Sequence, residues 1–247
     1  MMARMLAAGS IAALGALVVA AAPVFADGVH RSSLEEWGQP FGSAWLDTGR
    51  FEALTATGMD DVRQVPGDRW RIRANGDARA LAQLRFMVED GALIVGRIGK
   101  QRERFGKVQI EVTAPLLRAV TAAGSGSVDI ERLSGRRAAA TAAGSGRTTV
   151  RRIEAERLSA TVAGSGALGV AGRTERADIT VAGSGRLSGE NLTAASANVT
   201  MVGSGEARFR SSGQVRATIA GSGSVAVTGT TDCSATRMGS GRLVCSR

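Results

Sequence analysis

The sequence contains few of the residues from which catalytic and metal sites are usually built. Its 247 residues include one histidine, His30, no tyrosine, two cysteines and four prolines, and aromatic residues make up only 4% of the chain. The single imidazole removes most histidine-based schemes for catalysis and for metal binding. The shortage of aromatic side chains predicts an interior built from small residues. The 33 glycines have no Gly-X-Y period, which excludes collagen.

The first 26 residues have the pattern of a secretory signal peptide. Met1–Arg4 carries one positive charge, and residues 5–22 form an apolar run. Residues 24–26 then provide a cleavage site, so that Asp27 opens the mature chain. An uncleaved membrane anchor is the alternative, but Pro23 and the small-residue site favour cleavage. We therefore expect an exported protein, periplasmic or at the cell surface, with no transmembrane segment after cleavage.

The C-terminal half of the chain is a repeat marked by the tripeptide Gly-Ser-Gly, which occurs seven times at intervals of 18–20 residues. A repeat of this kind is the sequence signature of a stacked architecture. The first and third residues of the seven copies are Gly124 and Gly126, Gly144 and Gly146, Gly164 and Gly166, Gly183 and Gly185, Gly203 and Gly205, Gly221 and Gly223, and Gly239 and Gly241. We expect positive φ at both glycines, because a tight turn often requires a backbone conformation that other residues reach only with strain.

The residues around each turn alternate between apolar and polar with period two, which predicts a strand with one buried face on either side. A threonine stands three residues before the first glycine in every copy. These threonines are Thr121, Thr141, Thr161, Thr180, Thr200, Thr218 and Thr236. The pattern predicts an all-β fold, a β-solenoid in which each coil buries its apolar side against its neighbours. An antiparallel meander with Gly-Ser-Gly hairpin turns is the competing fold. It gives no reason to place the same threonine beside every turn.

The organisation predicted after the signal peptide is an N-terminal tail over residues 27–47 and one β-solenoid domain over 48–247. Within that domain, residues 48–117 form a cap-like β part, whose larger side chains plug the end of the stack, and residues 118–247 form the seven repeats. Strands of the cap-like part are predicted over residues 51–56, 60–65, 69–74, 92–97 and 107–113. Residues 78–86 are predicted to form a short helix or a bent loop.

The sequence resembles the head GIN domain family, whose members are described as putative auto-transporter adhesins. The resemblance rests on residues 49–97 and 107–128 and covers about residues 48–247. The elements that carry it are Phe51, Gly67-Asp68, Asp90 to Arg97, Pro115 to Leu117, and the seven repeats. It implies a two-sheet, pectin-lyase-like superhelix in which Gly-Ser-Gly forms the turns between the sheets. It also implies a role in cell adhesion and no shared catalytic residues.

Local motifs that could indicate chemistry fit the repeat better than a reaction. Gly164–Gly169 matches G-x-G-x-x-G, but it lies inside a β repeat with no helix to follow. The turn serines have no activating base, because His30 lies in the N-terminal tail. The acidic residues of the repeats fall at different offsets from their turns, and none occupies a calcium-binding place. They are Glu131, Glu154, Glu156, Glu175, Asp178, Glu190 and Asp232. We therefore expect no catalytic residue, no cofactor and no metal site.

The formal charge of +9 at pH 7 is compatible with an anionic partner of an exported protein, such as an anionic glycan or lipopolysaccharide. An arginine-rich, soluble surface without such a partner is the alternative. Local basic clusters are Arg136-Arg137, Arg151-Arg152 and the loop from Lys100 to Lys107. Nucleic acid is not an expected partner, because the repeats contain a single aromatic side chain, Phe209, for base stacking.

The function predicted from these observations is a non-enzymatic, exported cell-envelope or surface interaction protein of the adhesin type. Two alternatives stay open. One is a glycan-acting enzyme on a pectin-lyase-like scaffold, which should show a groove lined by carboxylates or arginines stacked from adjacent coils. The other is a purely structural envelope protein.

The two cysteines, Cys233 and Cys245, are predicted to form a disulfide, because the exported context is oxidising and an even pair favours a bond. Both lie at even offsets from the last turn and should point inward. Facing sheets usually lie about 10 Å apart, whereas a disulfide needs Cα atoms about 5.5–6 Å apart. The last coil must therefore narrow, and the bond would staple it where no further repeat covers the end.

Overall fold

A computed structural model describes residues 34–41, 44–98 and 105–247 as an almost entirely β structure. The predicted signal peptide and His30 lie outside the described residues. A short helix, α1 (Ala78–Gln83), separates two of the strands. The strands are β1 (Gln39–Pro40), β2 (Leu46–Asp47), β3 (Ala53–Gly58), β4 (Asp61–Pro66), β5 (Arg71–Asn75), β6 (Leu84–Glu89), β7 (Ala92–Arg97), β8 (Gln109–Ala114), β9 (Ala119–Gly124), β10 (Ser127–Ile130), β11 (Leu133–Gly144), β12 (Arg147–Gly164), β13 (Ala167–Gly183), β14 (Arg186–Gly203), β15 (Glu206–Ser211), β16 (Val215–Gly221), β17 (Ser224–Thr228), β18 (Cys233–Met238) and β19 (Arg242–Ser246).

The strands form two parallel stacks, which we call the first and second sheets. The first sheet runs in the order β7, β3, β9, β11, the C-terminal halves of β12, β13 and β14, then β16 and β18. The second sheet runs in the order β8, β4, β10, the N-terminal halves of β12, β13 and β14, then β15, β17 and β19. The chain passes from the first sheet to the second at each Gly-Ser-Gly turn.

Corresponding repeat residues lie opposite one another across the strand pairs. Gly144, for example, pairs with Gly124 on one side and with Gly164 on the other. This parallel, in-register pairing confirms the predicted β-solenoid and is incompatible with an antiparallel meander, in which consecutive strands would run in opposite directions.

The N-terminal end of the stack has a strand order that the repeats do not predict. The β3–β4 turn contains Gly58, which pairs with Gly124 although no Gly-Ser-Gly is present. Strands β7 and β8 lie on the far side of β3 and β4, so the chain returns across this coil to start β9. Outside them, β6 and β5 pair antiparallel with β7 and β8. These antiparallel strands cover the end of the stack, and β6 begins at Leu84, within the segment for which the sequence predicts a helix or loop.

The interior follows the predicted alternation of inward apolar and outward polar residues. The N-terminal coils bury large side chains, including Phe51, Leu54, Ile72 and Phe86. In the repeats the inward residues are mostly alanine, valine, leucine and isoleucine, and Phe209 is a buried aromatic exception. Each coil is therefore thin, and its apolar side chains are covered by the coils above and below it.

The two glycines of each turn have different physical roles. The first glycine has a φ between +108° and +143° in all seven turns, a region that other residues rarely adopt. The third glycine has no positive φ, so the expectation of positive φ at both places is wrong for this position. Glycine is needed there because a Cβ would lie only 2.0–3.1 Å from a backbone carbonyl oxygen of the neighbouring coil.

The C-terminal coil contains the predicted disulfide between Cys233 and Cys245, which is confirmed, with Cα atoms 6.6 Å apart. Because facing sheets usually lie about 10 Å apart, the two strands of this coil approach one another more closely than the sheets of a typical sandwich. Arg237 occupies the inward row of β18, opposite the buried Ile219, and is exposed. An inward-pointing charge on an edge strand discourages the addition of another strand.

Candidate interaction surface

The outward side chains of the first sheet form a surface of threonine and alanine, which we call the threonine face. The threonines pair in register from strand to strand, and Thr55 extends their row by one coil beyond the repeats. Each threonine is followed two residues later by a small or apolar side chain. These are Thr57, Ala123, Ala143, Ala163, Ala182, Val202, Ala220 and Met238. At a strand spacing of about 4.8 Å, eight strands make the face roughly 34 Å long.

The threonine face is open to solvent and carries little charge. Thr141 is buried, whereas the other threonines of the row are half-buried or exposed. Val202 is 41% exposed and Met238 is 61% exposed. The outward residues two positions before the eight threonines include only two charged side chains, Asp178 and Arg216. A flat sheet surface with small side chains and few charges has a low desolvation penalty on contact with a partner.

Arginines border the threonine face on the side away from the turns. Arg137 pairs with Arg157, and Arg157 pairs with Arg176, each seven residues before the first glycine of its turn. All three are exposed, and none of their guanidinium groups makes a hydrogen bond or ion pair with another described residue. We call these three residues the arginine ladder. Like charges placed directly opposite one another on neighbouring strands destabilise a sheet.

Charges elsewhere on the described strand pairs face neutral or opposite partners. Arg63 of β4 lies between Glu111 and Asp129, and Arg186 of β14 pairs in register with Glu206. Arg186 Nε donates to Glu206 at 2.9 Å. The arginine ladder is the one run of like charges in register among the described strand pairs, and it concentrates positive potential along one line.

A depression of about 520 Å³ on the outside of the second sheet is also charged, but its charges neutralise one another. Arg73 donates to Glu111 at 2.8 Å, and Lys107 donates to Asp61 at 3.0 Å. Partial burial raises the pKa of Asp61, but hydrogen bonds from Ser127 and Lys107 outweigh it, so that its pKa is lowered overall. This depression therefore leaves little uncompensated charge for a ligand.

The predicted turn serines lie along the edge between the two sheets, in a row of exposed hydroxyl groups. In the turn at Ser145, the backbone N–H groups of Ser145 and Gly146 donate to the carbonyl of Gly124 at 3.1 and 2.9 Å. The nearby depression of about 410 Å³ is lined by Lys107, Arg147 and three of these turns. No titratable base lies among its lining residues apart from the cationic Lys107 and Arg147, so the arrangement supplies no activated nucleophile.

Four of the seven repeat carboxylates, those of Glu131, Glu154, Glu156 and Asp178, are engaged with partners. Glu154 lies 4.0 Å from Arg132 and 3.7 Å from Arg152, and Arg136 donates to Glu156 at 3.4 Å. Asp178 accepts a hydrogen bond from Asn198 at 2.9 Å. No group of three or more histidine, cysteine or acidic side chains that could hold a metal ion occurs within residues 34–41, 44–98 and 105–247.

The interior of the solenoid has a void of only about 10 Å³, near the first Gly-Ser-Gly turns. It is lined by small residues such as Ala122 and Ala142 and by Thr148, a buried residue whose hydroxyl has no hydrogen-bond partner. This volume is about that of one water probe sphere. The void cannot hold an organic ligand.

Sequence reasoning missed the arginine ladder although a signal for it was present. The dipeptide Arg136-Arg137 stands out as a cluster, but Arg157 and Arg176 do not. Counting offsets from the first glycine of each turn would have placed arginine at the same position in three consecutive copies. Thr55 was missed for a different reason, since its coil has no Gly-Ser-Gly from which to count.

The sequence profile of a family described as "Putative auto-transporter adhesin, head GIN domain" matches residues 50–231. The fold is similar to the crystal structure of a putative adhesin from Bacteroides fragilis, with a TM-score of 0.75, 20% identity, and coverage of 83% of this chain and 95% of that chain. A putative lipid binding protein from Parabacteroides distasonis gives a TM-score of 0.66, 23% identity, and 84% and 98% coverage. A putative adhesin from Parabacteroides merdae gives a TM-score of 0.62, 19% identity, and coverage of 83% of this chain and 96% of that chain.

At these identities the likeness to the solved structures demonstrates a shared fold. No curated protein matches the chain in sequence. Within the described part of the chain, no helix combines the length and the hydropathy that crossing a membrane would require.

Proposed function

The chain belongs to the head GIN domain family, described as putative auto-transporter adhesins, and on that basis we propose that it is an exported, non-enzymatic interaction protein of the cell envelope or surface. The observation that carries the proposal is the threonine face. It is formed by in-register stacking of the whole solenoid, most of its threonines are half-buried or exposed, and it is nearly free of charge. A partner that lies flat on such a face can contact many coils at once.

The arrangement of polar groups supports binding rather than a reaction. The glycan-acting alternative calls for carboxylates or arginines stacked along a groove, and the arginine ladder supplies only the arginines. Within the described strand pairs, the row of the arginine ladder contains no carboxylate. The residue that pairs with Arg176 in the next coil is Ser196. Acid–base cleavage of glycosidic bonds normally needs two carboxyl groups placed across the bond.

One structural neighbour is named a putative lipid binding protein, and the solenoid interior bears on whether a lipid could bind here in the same way. Near the first Gly-Ser-Gly turns the void between the sheets measures about 10 Å³, which is too small for an acyl chain at that place. At this end of the repeats, a lipid would therefore have to bind on the outer surface.

Binding of the purified mature protein to isolated cell envelopes tests the proposal. The double variant Thr161→Gln/Thr200→Gln places two bulky neutral side chains on the threonine face, two coils apart. The control Thr149→Gln/Ser188→Gln makes the same change, also two coils apart, on the outside of the second sheet. Both variants keep the net charge of the parent.

We expect the threonine-face variant to bind envelopes at least about tenfold more weakly than the parent, and the control to bind within about threefold of it. Equal binding by all three proteins, or no binding by the parent, would overturn the proposal. Incubation of the parent with envelope glycans should release no oligosaccharide. Release that depends on the arginine ladder would favour the glycan-acting enzyme instead.

A further inference from the structure

The arginine ladder places three guanidinium groups on consecutive coils. Because parallel neighbouring strands lie about 4.8 Å apart, the three groups span about 10 Å along the solenoid axis. Arg137, Arg157 and Arg176 are all exposed and have no ion-pair partner in the described residues. Their mutual repulsion is unrelieved within this part of the protein, and an anion bound along the row would relieve it.

Hydroxyl groups lie beside the ladder on the same outward face. Ser159 is two residues from Arg157, and Thr161 is two residues further. In one adjacent coil the half-buried Thr180 pairs in register with Thr161, whereas Thr141, which pairs with it on the other side, is buried. A ligand lying over the ladder would therefore meet donors for its anionic groups and, about 7–14 Å to one side, a row of hydroxyls.

The acidic residue nearest to the ladder on this face is already engaged. Asp178 lies two residues from Arg176 along β13 and accepts a hydrogen bond from Asn198 at 2.9 Å. Glu156, which precedes Arg157, faces Arg136, whose Nε donates to it at 3.4 Å. Glu175, which precedes Arg176, is exposed and has no ion-pair partner in the described residues. None of these three carboxylates forms an ion pair with a ladder arginine.

The neighbours of the ladder favour one class of anionic partner. No aromatic side chain belongs to the threonine face, so nucleic-acid bases have no stacking platform. The face is flat and its side chains are small, so it offers no deep pocket for the large anchors that protein partners use. Hydroxyls beside a row of guanidinium groups suit a chain that carries both hydroxyls and regularly spaced acidic groups.

We propose that the arginine ladder binds an anionic glycan chain that runs along the solenoid axis, with its acidic groups on Arg137, Arg157 and Arg176 and its sugar hydroxyls toward Ser159 and the threonine row. This assignment rests on the proposed interaction function and names the partner of that surface. Each guanidinium can bind a carboxylate or a phosphate oxygen pair with two parallel hydrogen bonds.

The test measures binding to two glycans of different anionic chemistry. Polygalacturonate carries a carboxylate on each sugar, purified lipopolysaccharide carries phosphate groups, and neutral dextran is the blank. The ladder variant is Arg137→Gln/Arg157→Gln/Arg176→Gln. The control, Arg147→Gln/Arg173→Gln/Arg210→Gln, removes the same number of charges from three exposed arginines that form no ion pair in the described residues and do not stack on one another.

We expect the parent to bind at least one of the anionic glycans and to ignore dextran. The ladder variant should bind at least about tenfold more weakly, and the control should stay within about threefold of the parent. Binding that depends on the ladder with only one glycan identifies carboxylate or phosphate as the recognised group. If the ladder variant and the control lost glycan binding equally, net charge alone would explain the loss and the assignment would be overturned. Equal binding by the parent and the ladder variant would overturn it as well.

The melting temperature of the ladder variant and a single substitution at Arg157 complete the test. The ladder variant should melt no lower than the parent, since it removes opposed like charges. If it fails to fold, Arg157→Gln alone removes the middle rung and should weaken glycan binding by about threefold or more. A parent that binds envelopes but neither anionic glycan overturns the ladder assignment and leaves the proposed function standing. A parent that binds neither envelopes nor glycans overturns both.

Discussion

Replacing Gly166 by alanine tests how closely neighbouring coils approach at the turns. A Cβ at this position would lie 2.6 Å from the carbonyl oxygen of Gly146 and 3.1 Å from that of Gly144. Both oxygens already accept backbone hydrogen bonds, from Ala167 at 3.0 Å and from Gly166 itself at 2.8 Å. The added methyl group can be accommodated only by moving backbone that is fixed by the strand pairing, and overpacking of this kind costs about 1–3 kcal/mol.

Gly169, three residues further along β13, provides the matched control. Its φ is not positive, and the atom nearest to an added Cβ would be a methyl carbon of Thr149 at 3.8 Å, an ordinary contact. Gly169→Ala is therefore expected to be neutral or to stabilise the protein by about 0.5–1 kcal/mol, because glycine is unfavourable within a strand. Gly164→Ala should cost more than Gly166→Ala, since its φ of +108° adds about 1–3 kcal/mol of backbone strain to a similar contact.

Thermal unfolding followed by circular dichroism measures these differences. For a domain of about 200 residues, 1 kcal/mol corresponds to roughly 2–4 °C in Tm. Gly166→Ala should therefore melt about 2–12 °C below the parent, whereas Gly169→Ala should melt at or slightly above it. If Gly166→Ala and Gly169→Ala melted within about 1 °C of each other, the close approach of the coils would not be what requires glycine at the third position.

Three further changes test the ends of the stack. Alkylation of the denatured, unreduced protein should label neither cysteine, and Cys245→Ser should lower the free energy of unfolding by about 2–3 kcal/mol, because the bond closes a short loop; two labelled cysteines would contradict the staple. Asp60→Asn removes the carboxylate that forms an ion pair with the buried Arg97, and should lower the free energy of unfolding in urea by about 3–5 kcal/mol. Asp61→Asn, the control, should lower it less, and equal losses would count against the buried pair. Arg237→Ile restores an apolar inward residue to the edge strand and should promote aggregation in light scattering, so a variant as monodisperse as the parent would refute a protective role for this charge.

The repeats made most of the solenoid predictable, because the information was periodic and local. The threonine before each turn fixed the alignment of copies, and the alternation around it fixed which side chains point inward. The same local patterns predicted the strands β3, β4, β5, β7 and β8 to within a few residues. Strand β6 was not predicted, because the apolar residues following α1 are compatible with a helix or with a strand when periodicity alone is considered.

The order of strands at the N-terminal end could not be read from the sequence. Nothing local to β7 and β8 indicates that they lie outside β3 and β4, because that choice depends on non-local pairing. The third glycine of each turn is a second case. The sequence indicated that glycine is required, but positive φ and close backbone approach produce the same preference, and only the distance to the next coil separates them.

The proposed binding surface is the outward side of the first sheet. Hydroxyl-radical footprinting of the mature protein bound to isolated envelopes measures this directly, because it reports the loss of solvent access for individual side chains. The radical labels methionine, valine and arginine far better than threonine, serine or alanine. We therefore expect protection of Arg157, Val202 and Met238 on the first sheet. The labelling of Arg186 and Val244 on the second sheet should be unchanged. Protection confined to the second sheet, or equal protection of both sheets, would contradict the proposal.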